Sequence, residues 1–198
     1  MGEWLPPLNP SFSENSMPDL TEKSIWIGFD LGGTKMLAIA LSGKFGEKAR
    51  VRKKTKGSGE SSVDLDRVGK TIDEVLEQAG MTRKNLGGIG IGTPGSLDLE
   101  KGMVINAPNL GWKNLPLRDK LEKEFSCPVA VINDVDAGVY GEYRHGAAIG
   151  ARCAVGVFPG TGIGGGCVYE GSLLRGTKTS CMEIGHIQVL PDGPLCGC

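Results

Sequence analysis

Glycine placement constrains the fold of this chain most, because the glycines gather in two short segments that each adjoin strand-like runs. The 198-residue sequence contains 32 glycines, about twice the usual share of roughly 7%. Gly32-Gly33-Thr34-Lys35 follows the apolar run Ile25–Leu31, and Gly160-Thr161-Gly162-Ile163-Gly164 leads into a second run. Glycines allow sharp turns and let backbone N–H groups approach an anion. The two segments predict two strand–loop–strand hairpins that can hold phosphate.

Each loop also has a simpler interpretation. The first is compatible with an ordinary Gly-Gly hairpin that carries a surface lysine, Lys35. The second is not a Walker loop, because it lacks the Gly-Lys-Ser/Thr ending. It does not fit a dinucleotide fingerprint, because it continues into a strand and not into a helix. One such loop is a weak signal, whereas one in each half of the chain predicts a nucleotide in the cleft between them. Asp30, at the end of the first strand, is a candidate for holding Mg²⁺ through water.

Hydrophobic periodicity predicts an α/β fold with a mixed sheet. Three strands come first, a helix begins at Ser62, and strands at 88–92 and 128–133 alternate with helices at 115–125 and from Asp134 to about Arg144. The segment between the strand at 88–92 and the helix at 115–125 is expected to be irregular. Further strands are expected at 153–158, 165–169 and 184–190. We divide the chain into a flexible leader (1–23), a first lobe (24–132) and the start of an incomplete second lobe (133–198).

Composition excludes some classes of partner. The net charge of −1 gives no electrostatic reason to expect nucleic acid or an anionic membrane. No apolar run approaches the roughly 18 residues of a membrane-spanning helix, and the start of the chain does not have the pattern of a secretory signal. Cytoplasm is therefore the expected compartment.

A polar pair follows the strand at 128–133. Asp134 has two interpretations, the N-cap of the next helix or a general base at the edge of the sheet where ligands gather in open α/β folds. The two interpretations are compatible, because a capping position fixes the side chain. Asn133 precedes it directly.

A second polar cluster lies near the end of the sequence. Glu183 and His186 are three residues apart, and a turn at 182–185 would let both face one small polar ligand. The alternatives are an exposed glutamate and a hydrogen-bonded, partly buried histidine. His186 with Cys196 and Cys198 suits a zinc site of mixed ligands, one ligand short of a closed structural site.

The motifs, taken in order, resemble the ROK family of bacterial glucokinases, other hexose and N-acetylhexosamine kinases, and sugar-responsive repressors. They are Asp30-Leu31-Gly32-Gly33-Thr34-Lys35, Gly90-Ile91-Gly92-Thr93-Pro94-Gly95, Asn106-Ala107-Pro108-Asn109-Leu110, Asn133-Asp134, the glycine run at 160–166 and Glu183-Ile184-Gly185-His186. The resemblance implies the actin-like ATPase fold, two lobes of ribonuclease H-like topology around a nucleotide and sugar cleft. The second lobe would be incomplete.

The resemblance also implies roles. Asp134 would be the catalytic base, and the glycine loops would bind the phosphates of ATP with Mg²⁺. The expected sugar ligands are Gly95, Asn109, Asn133, Glu183 and His186. His186, Cys196 and Cys198 would bind a structural Zn²⁺, and the sequence ends within that motif. A homodimer is a further implication.

The expected reaction is ATP-dependent phosphorylation of a hexose or N-acetylhexosamine, with glucose the commonest substrate in the family. One rival is a sugar-responsive repressor, which would need a helix-turn-helix domain before Asp30. A second rival is an inactive fragment. Asp136 stands where the family more often has Asn.

Overall fold

A computed structural model describes residues 24–43, 45–55, 61–160, 162–176 and 181–195, with residues 61–63 described by their backbone alone. The predictions made for the leader at 1–23, for Thr161 and for Cys196 and Cys198 fall outside these ranges. The lobe boundary near residue 132 stays a prediction. Within the described ranges, none of the helices combines the length and hydropathy that a membrane-spanning segment requires.

The strands and helices follow the expected order with one extra sheet. The strands are β1 (Ile25–Leu31), β2 (Lys35–Ser42), β3 (Glu47–Lys54), β4 (Leu86–Thr93), β5 (Ser96–Asp98), β6 (Met103–Ala107), β7 (Trp112–Leu115), β8 (Val129–Asn133), β9 (Cys153–Pro159), β10 (Ile163–Tyr169) and β11 (Ser172–Leu173). The helices are α1 (Ser61–Gln78), α2 (Leu117–Phe125) and α3 (Asp134–His145), with 3₁₀ turns at Arg83–Asn85 and Ile184–His186.

The central sheet has the strand order β3-β2-β1-β4-β8. Strands β1, β2 and β3 form an antiparallel meander, and β4 and β8 continue the sheet parallel to β1. Ile25, Ile27, Phe29 and Leu31 alternate along β1 with their side chains buried on one face, as the period of two predicts. The predicted mixed sheet is confirmed.

The buried face of this sheet packs against α1 and α2. Helix α1 contributes an apolar stripe at helical spacing, formed by Val68, Ile72, Val75 and Leu76. Trp112 is fully buried and its Nε1 donates to the buried Asp64 carboxylate on α1 at 3.2 Å. The first helical turn of α1 is therefore fixed to the segment that precedes α2.

The segment between β4 and α2, expected to be irregular, forms a three-stranded antiparallel sheet of β5, β6 and β7. Its strands have only three to five residues, too few for a period of two to be visible. Leu97, Val104 and Leu115 are buried in the core. The sheet thus extends one wall of the core toward the end of β4.

A second, smaller region begins at α3. Strands β9, β10 and β11 form an antiparallel sheet, and Val139, Ala154 and Val168 form the buried cluster between it and α3. Phe45, at the turn between β2 and β3, contacts His145 at the end of α3, with ring centroids 5.3 Å apart.

The strand expected at 184–190 is wrong. Ile184–His186 is a 3₁₀ turn, and the residues after it are neither helix nor strand through residue 195. Ile187, Val189 and Leu190 are all exposed. An apolar run becomes a strand only where a neighbouring strand accepts its hydrogen bonds, and among the described residues none lies beside this one.

Candidate functional site

A cleft of about 1200 Å³ lies between the first sheet and the second region. The structure brings together in its lining every sequence-predicted site residue that it describes. They are Asp30, Gly32, Gly33, Thr34, Lys35, Gly95, Asn109, Asn133, Asp134, Gly160, Gly162, Gly164, Glu183 and His186. These residues come from segments up to 156 positions apart (186 − 30), so the fold, and not the local sequence, assembles the site.

The first glycine loop joins β1 to β2 and is held from two sides. Gly32 N–H donates to the Lys35 carbonyl at 2.9 Å, which closes the loop. Thr55, just after β3, donates its hydroxyl to the Gly32 carbonyl at 2.8 Å and its N–H to the Thr34 carbonyl at 2.9 Å. Sequence reasoning missed Thr55, because its role depends on β3 lying beside β2. A Cβ added at Gly33 would lie 3.1 Å from Asn109 Cβ, so the loop packs on Asn109.

The second glycine loop joins β9 to β10 on the opposite wall of the cleft. Gly160 N–H donates to the Gly162 carbonyl at 2.7 Å, and Pro159 pairs with Ile163 at the ends of the strands. A side chain at Gly164 would overlap Val135 on α3. Glycine at position 164 therefore lets β10 approach the start of α3 closely.

The start of α3 carries the candidate base. Asn133 is the N-cap, and its Oδ1 accepts the N–H groups of Val135 at 3.0 Å and Asp136 at 3.2 Å. Asp134 is the first residue of the helix and not its cap, which corrects the capping interpretation. Its Oδ1 accepts from Val135 N–H at 3.0 Å. The capping bonds occupy the Asn133 amide oxygen, so the Asn133 NH₂ group is the part that can donate to a ligand.

Burial raises the pKa of the Asp134 carboxyl, the Val135 N–H bond opposes this rise, and the negative charge of Asp30 adds to it. Burial also raises the pKa of Asp30, and Arg52 opposes that rise. Both carboxylates line one cleft, and carboxylate oxygens are donors of the type that Mg²⁺ prefers. The residues present therefore fit a hard divalent cation.

Asp136 is a further carboxylate that lines the cleft, and it was not among the predicted site residues. Its residue is 3% exposed. Burial raises its pKa, Arg175 opposes the rise, and the charges of Asp134 and Glu183 add to it. A buried carboxyl beside two others is visible only once α3 and the turn at Glu183 are seen on the same side of the cleft.

The turn that carries Glu183 and His186 packs on β10. His186 N–H donates to the Glu183 carbonyl at 3.0 Å, and His186 Nε2 lies 3.8 Å from Glu183 Oε2. A side chain at Gly185 would overlap the Ile163 backbone. The turn lies at Ile184–His186 and not at the predicted 182–185, and Glu183 and His186 both line the cleft.

His186 is the described member of the predicted zinc site. Among the described residues no three His, Cys, Asp or Glu side chains are grouped to hold a metal ion, and Cys196 and Cys198 lie outside those residues. One imidazole is compatible with zinc but does not define a site. The zinc site stays a prediction.

Gly95 has a backbone reason to be glycine. Its φ of +98° is a conformation that favours glycine, and a side chain there would overlap the Asn106 and Ala107 backbone. The glycine allows the chain after β4 to cross closely over β6. Its predicted contact with sugar stays a prediction.

The sequence matches the ROK family over residues 26–198. The chain belongs to the ROK family. It is 35% identical over 176 residues to a glucokinase of Halalkalibacterium halodurans, and this covers 87% of the chain and 53% of that relative. It is 34% identical over 173 residues to a xylose repressor of Caldicellulosiruptor bescii, which covers 87% of the chain and 43% of the repressor.

The fold is likewise that of the actin-like ROK proteins. The structure superimposes on a ROK family glucokinase of Streptomyces griseus, solved in complex with glucose and AMPPNP, with a TM-score of 0.79 and 35% identity. The match covers 88% of this chain and 54% of the Streptomyces chain. The chain therefore spans about half the length of the relatives that it matches.

Proposed function

We propose that this chain is part of an ATP-dependent sugar kinase that phosphorylates a hexose or N-acetylhexosamine, with glucose as the first candidate. The observation that carries the proposal is the position of Asp134 in one cleft between two glycine loops. The Streptomyces relative, whose complex contains glucose and AMPPNP, supports the same pair of ligands.

In the proposed reaction the primary hydroxyl of the sugar lies beside Asp134. The hydroxyl proton passes to the Asp134 carboxylate while the hydroxyl oxygen forms a bond to the γ-phosphorus of ATP. The bond between that phosphorus and the β,γ-bridging oxygen breaks, and ADP leaves with the bonding electrons. Phosphoryl transfer asks the protein mainly for positioning and for neutralisation of charge.

The glycine loops are the proposed phosphate-binding elements. Both loops line the cleft, and their glycines carry no side chains that would block the approach of an anion. When bound, Mg²⁺ would neutralise phosphate charge, and Asp30 and Asp134 are the residues with the right donors to hold it. A raised pKa makes Asp134 a better proton acceptor than an ordinary aspartate.

The proposed sugar contacts surround Asp134. Asn109 lies against the first loop, Asn133 can donate through its NH₂ group, and Glu183 and His186 approach from the turn on β10. Zinc, held by His186, Cys196 and Cys198, is proposed to stabilise the segment that carries this turn. A homodimer is proposed on family likeness alone.

The test uses a chimera that continues after Cys198 with the C-terminal part of the Streptomyces griseus glucokinase. We expect ATP-dependent glucose phosphorylation by the chimera and a loss of about 10²- to 10⁴-fold in kcat for its Asp134→Asn variant, because general-base catalysis is typically worth that much. Glucose affinity should be retained. The control is Asp119→Asn on α2, which removes the same charge outside the cleft.

Turnover of the Asp134→Asn chimera within tenfold of its parent would remove Asp134 from the role of base. The 198-residue chain alone is assayed in parallel, and we expect it to be inactive, in keeping with an inactive fragment. Glucose binding by an inactive parent chimera would instead favour a sugar-responsive regulator, the function to which the similarity with a xylose repressor points.

A further inference from the structure

Three cations lie together on the face of the central sheet that borders the cleft. Lys35 on β2 is opposite Lys54 on β3, and Leu37 is opposite Arg52. Side chains alternate along a strand, so Lys54 and Arg52 share a face with Lys35 and Leu37. Lys35 and Leu37 line the cleft, and all three cations are exposed.

Other cations nearby are paired with carboxylates, unlike the three on this face. Arg50 Nη2 lies 2.6 Å from Glu47, Lys70 lies 2.7 Å from Asp66, and Lys53 pairs with Glu74. Among the described residues, no ion pair involves Lys35, Arg52 or Lys54. Like charges directly opposite on paired strands repel each other. The fold therefore gathers three cations beside the first glycine loop, of which Arg52 also interacts electrostatically with the Asp30 carboxylate.

We propose that Lys35, Arg52 and Lys54 bind the linear phosphate chain of the phosphoryl donor. This inference rests on the proposed function, and it extends the donor site from the glycine loop onto β3. Thr55, which follows Lys54, also braces the loop through its two hydrogen bonds. The cations and the loop are thus connected through one rigid segment.

The geometry suits a chain of phosphates and not a single one. Two residues along a strand advance about 7 Å, so Arg52 and Lys54 can contact different phosphates of one chain. Lys54, at the end of β3, also lines a smaller cavity of about 260 Å³ on the α1 side of the sheet, whose other cations are Lys53, Arg67 and Lys70. A nucleoside triphosphate and an inorganic polyphosphate share this linear, highly charged chemistry.

The test measures binding of sodium tripolyphosphate, of ATP and of orthophosphate to the 198-residue chain by titration calorimetry. We expect Arg52→Gln combined with Lys54→Gln to weaken tripolyphosphate binding by about tenfold or more, since contacts of cations with phosphate oxygens are strong, charge-assisted hydrogen bonds. The control combines Lys48→Gln, on the same strand, with Lys84→Gln. It removes the same charge elsewhere and should change the affinity by less than about twofold.

Arg52→Lys combined with Lys54→Arg should restore most of the affinity, which separates charge from fold. A similar loss of ATP affinity would show that the cations bind the phosphate chain common to both donors. A loss of affinity for tripolyphosphate alone would show that they bind an inorganic donor. Equal affinities of the Gln double variant and its parent for both probes would overturn the proposal, as would failure of the parent to bind either one. Should the double variant not fold, Lys54→Gln alone decides by the same comparison.

The kinase proposal and the anion-site proposal can fail separately, and the experiments distinguish the two failures. In this proposal glucose binding by the chimera does not depend on the β3 cations, because they contact the phosphoryl donor and not the sugar. The chimera could lack kinase activity while its tripolyphosphate affinity still falls with Arg52→Gln and Lys54→Gln. That result would support the anion site and contradict the proposed kinase function. An active chimera whose affinities for ATP and tripolyphosphate do not change with these substitutions would support the kinase function and contradict the anion site.

Discussion

The two walls of the cleft are supported very differently. The first wall rests on one continuous core that joins the central sheet to α1, α2 and the small sheet of β5–β7. In the second region the buried cluster is Val139, Ala154 and Val168, while Val155 and Val157 on the other face of β9 are 58% and 57% exposed. One half of the candidate site is therefore anchored by packing, and the other mainly by α3.

The largest effect should come from the core of the first region. Leu121→Ala removes a fully buried side chain and should lower the free energy of unfolding by about 3 kcal/mol. The matched control, Val155→Ala on the exposed face of β9, should change it by less than about 0.5 kcal/mol. Urea denaturation measures both. Equal losses in the free energy of unfolding would show that this face of β9 is packed in solution and that the two walls are supported alike.

A smaller loss should come from Gly95, at the edge of the first wall. Gly95→Ala places a side chain at positive φ against the Asn106 backbone and should cost about 2 kcal/mol. Gly80→Ala is the control, because Gly80 also has positive φ but open space around it, and strain alone costs about 1 kcal/mol. Thermal melts of both variants separate the overlap from the strain. Equal losses of stability in Gly95→Ala and Gly80→Ala would mean that the Asn106 backbone can move away from the added side chain.

The smallest expected change in stability concerns Asp136, on the second wall of the cleft. The pKa of Asp136 is raised above its ordinary value of 3.8, so the folded chain holds this proton more tightly than the unfolded chain. The carboxyl therefore lowers stability increasingly as the pH rises above 3.8 through the folded pKa. Asp136→Asn should stabilise the protein at pH 7 and have little effect near pH 3.

Asp98 supplies a control of opposite sign. Its pKa is lowered, chiefly by the N–H bond from Lys101, so its contribution to stability is present at neutral pH and is lost as the pH falls. Asp98→Asn should therefore destabilise slightly at pH 7, in contrast to Asp136→Asn. Urea denaturation at both pH values measures the two variants. The same sign for both would refute the burial argument for Asp136.

Sequence alone predicted the parts of the fold that repeat a period over many residues. The alternation in β1 and the apolar stripe of α1 identified the sheet and its cover, and the glycine loops identified both walls of the cleft. Asn133 and Asp134 were singled out because they follow a strand at the edge of the sheet where ligands gather in open α/β folds.

Other features depend on contacts between distant segments and could not be predicted. Strands β5–β7 are too short to show a period, and Thr55 gains its role only through the pairing of β2 with β3. The run at 184–190 has strand composition, but no strand in the described part of the chain lies beside it. The capping role went to Asn133 and not Asp134, since only the backbone angles decide which residue is the last before the helix.

Helix α3 links the two walls without an intervening loop. Its first residue, Asp134, follows β8 directly, and its later residues pack against β9 and β10. A rotation of the second region relative to the first would consequently pivot close to the Asp134 carboxylate. Points near an axis move least, so opening and shutting would move the parts of the second region far from the start of α3 most, while the proton acceptor and Gly164, which packs on Val135, stay almost stationary.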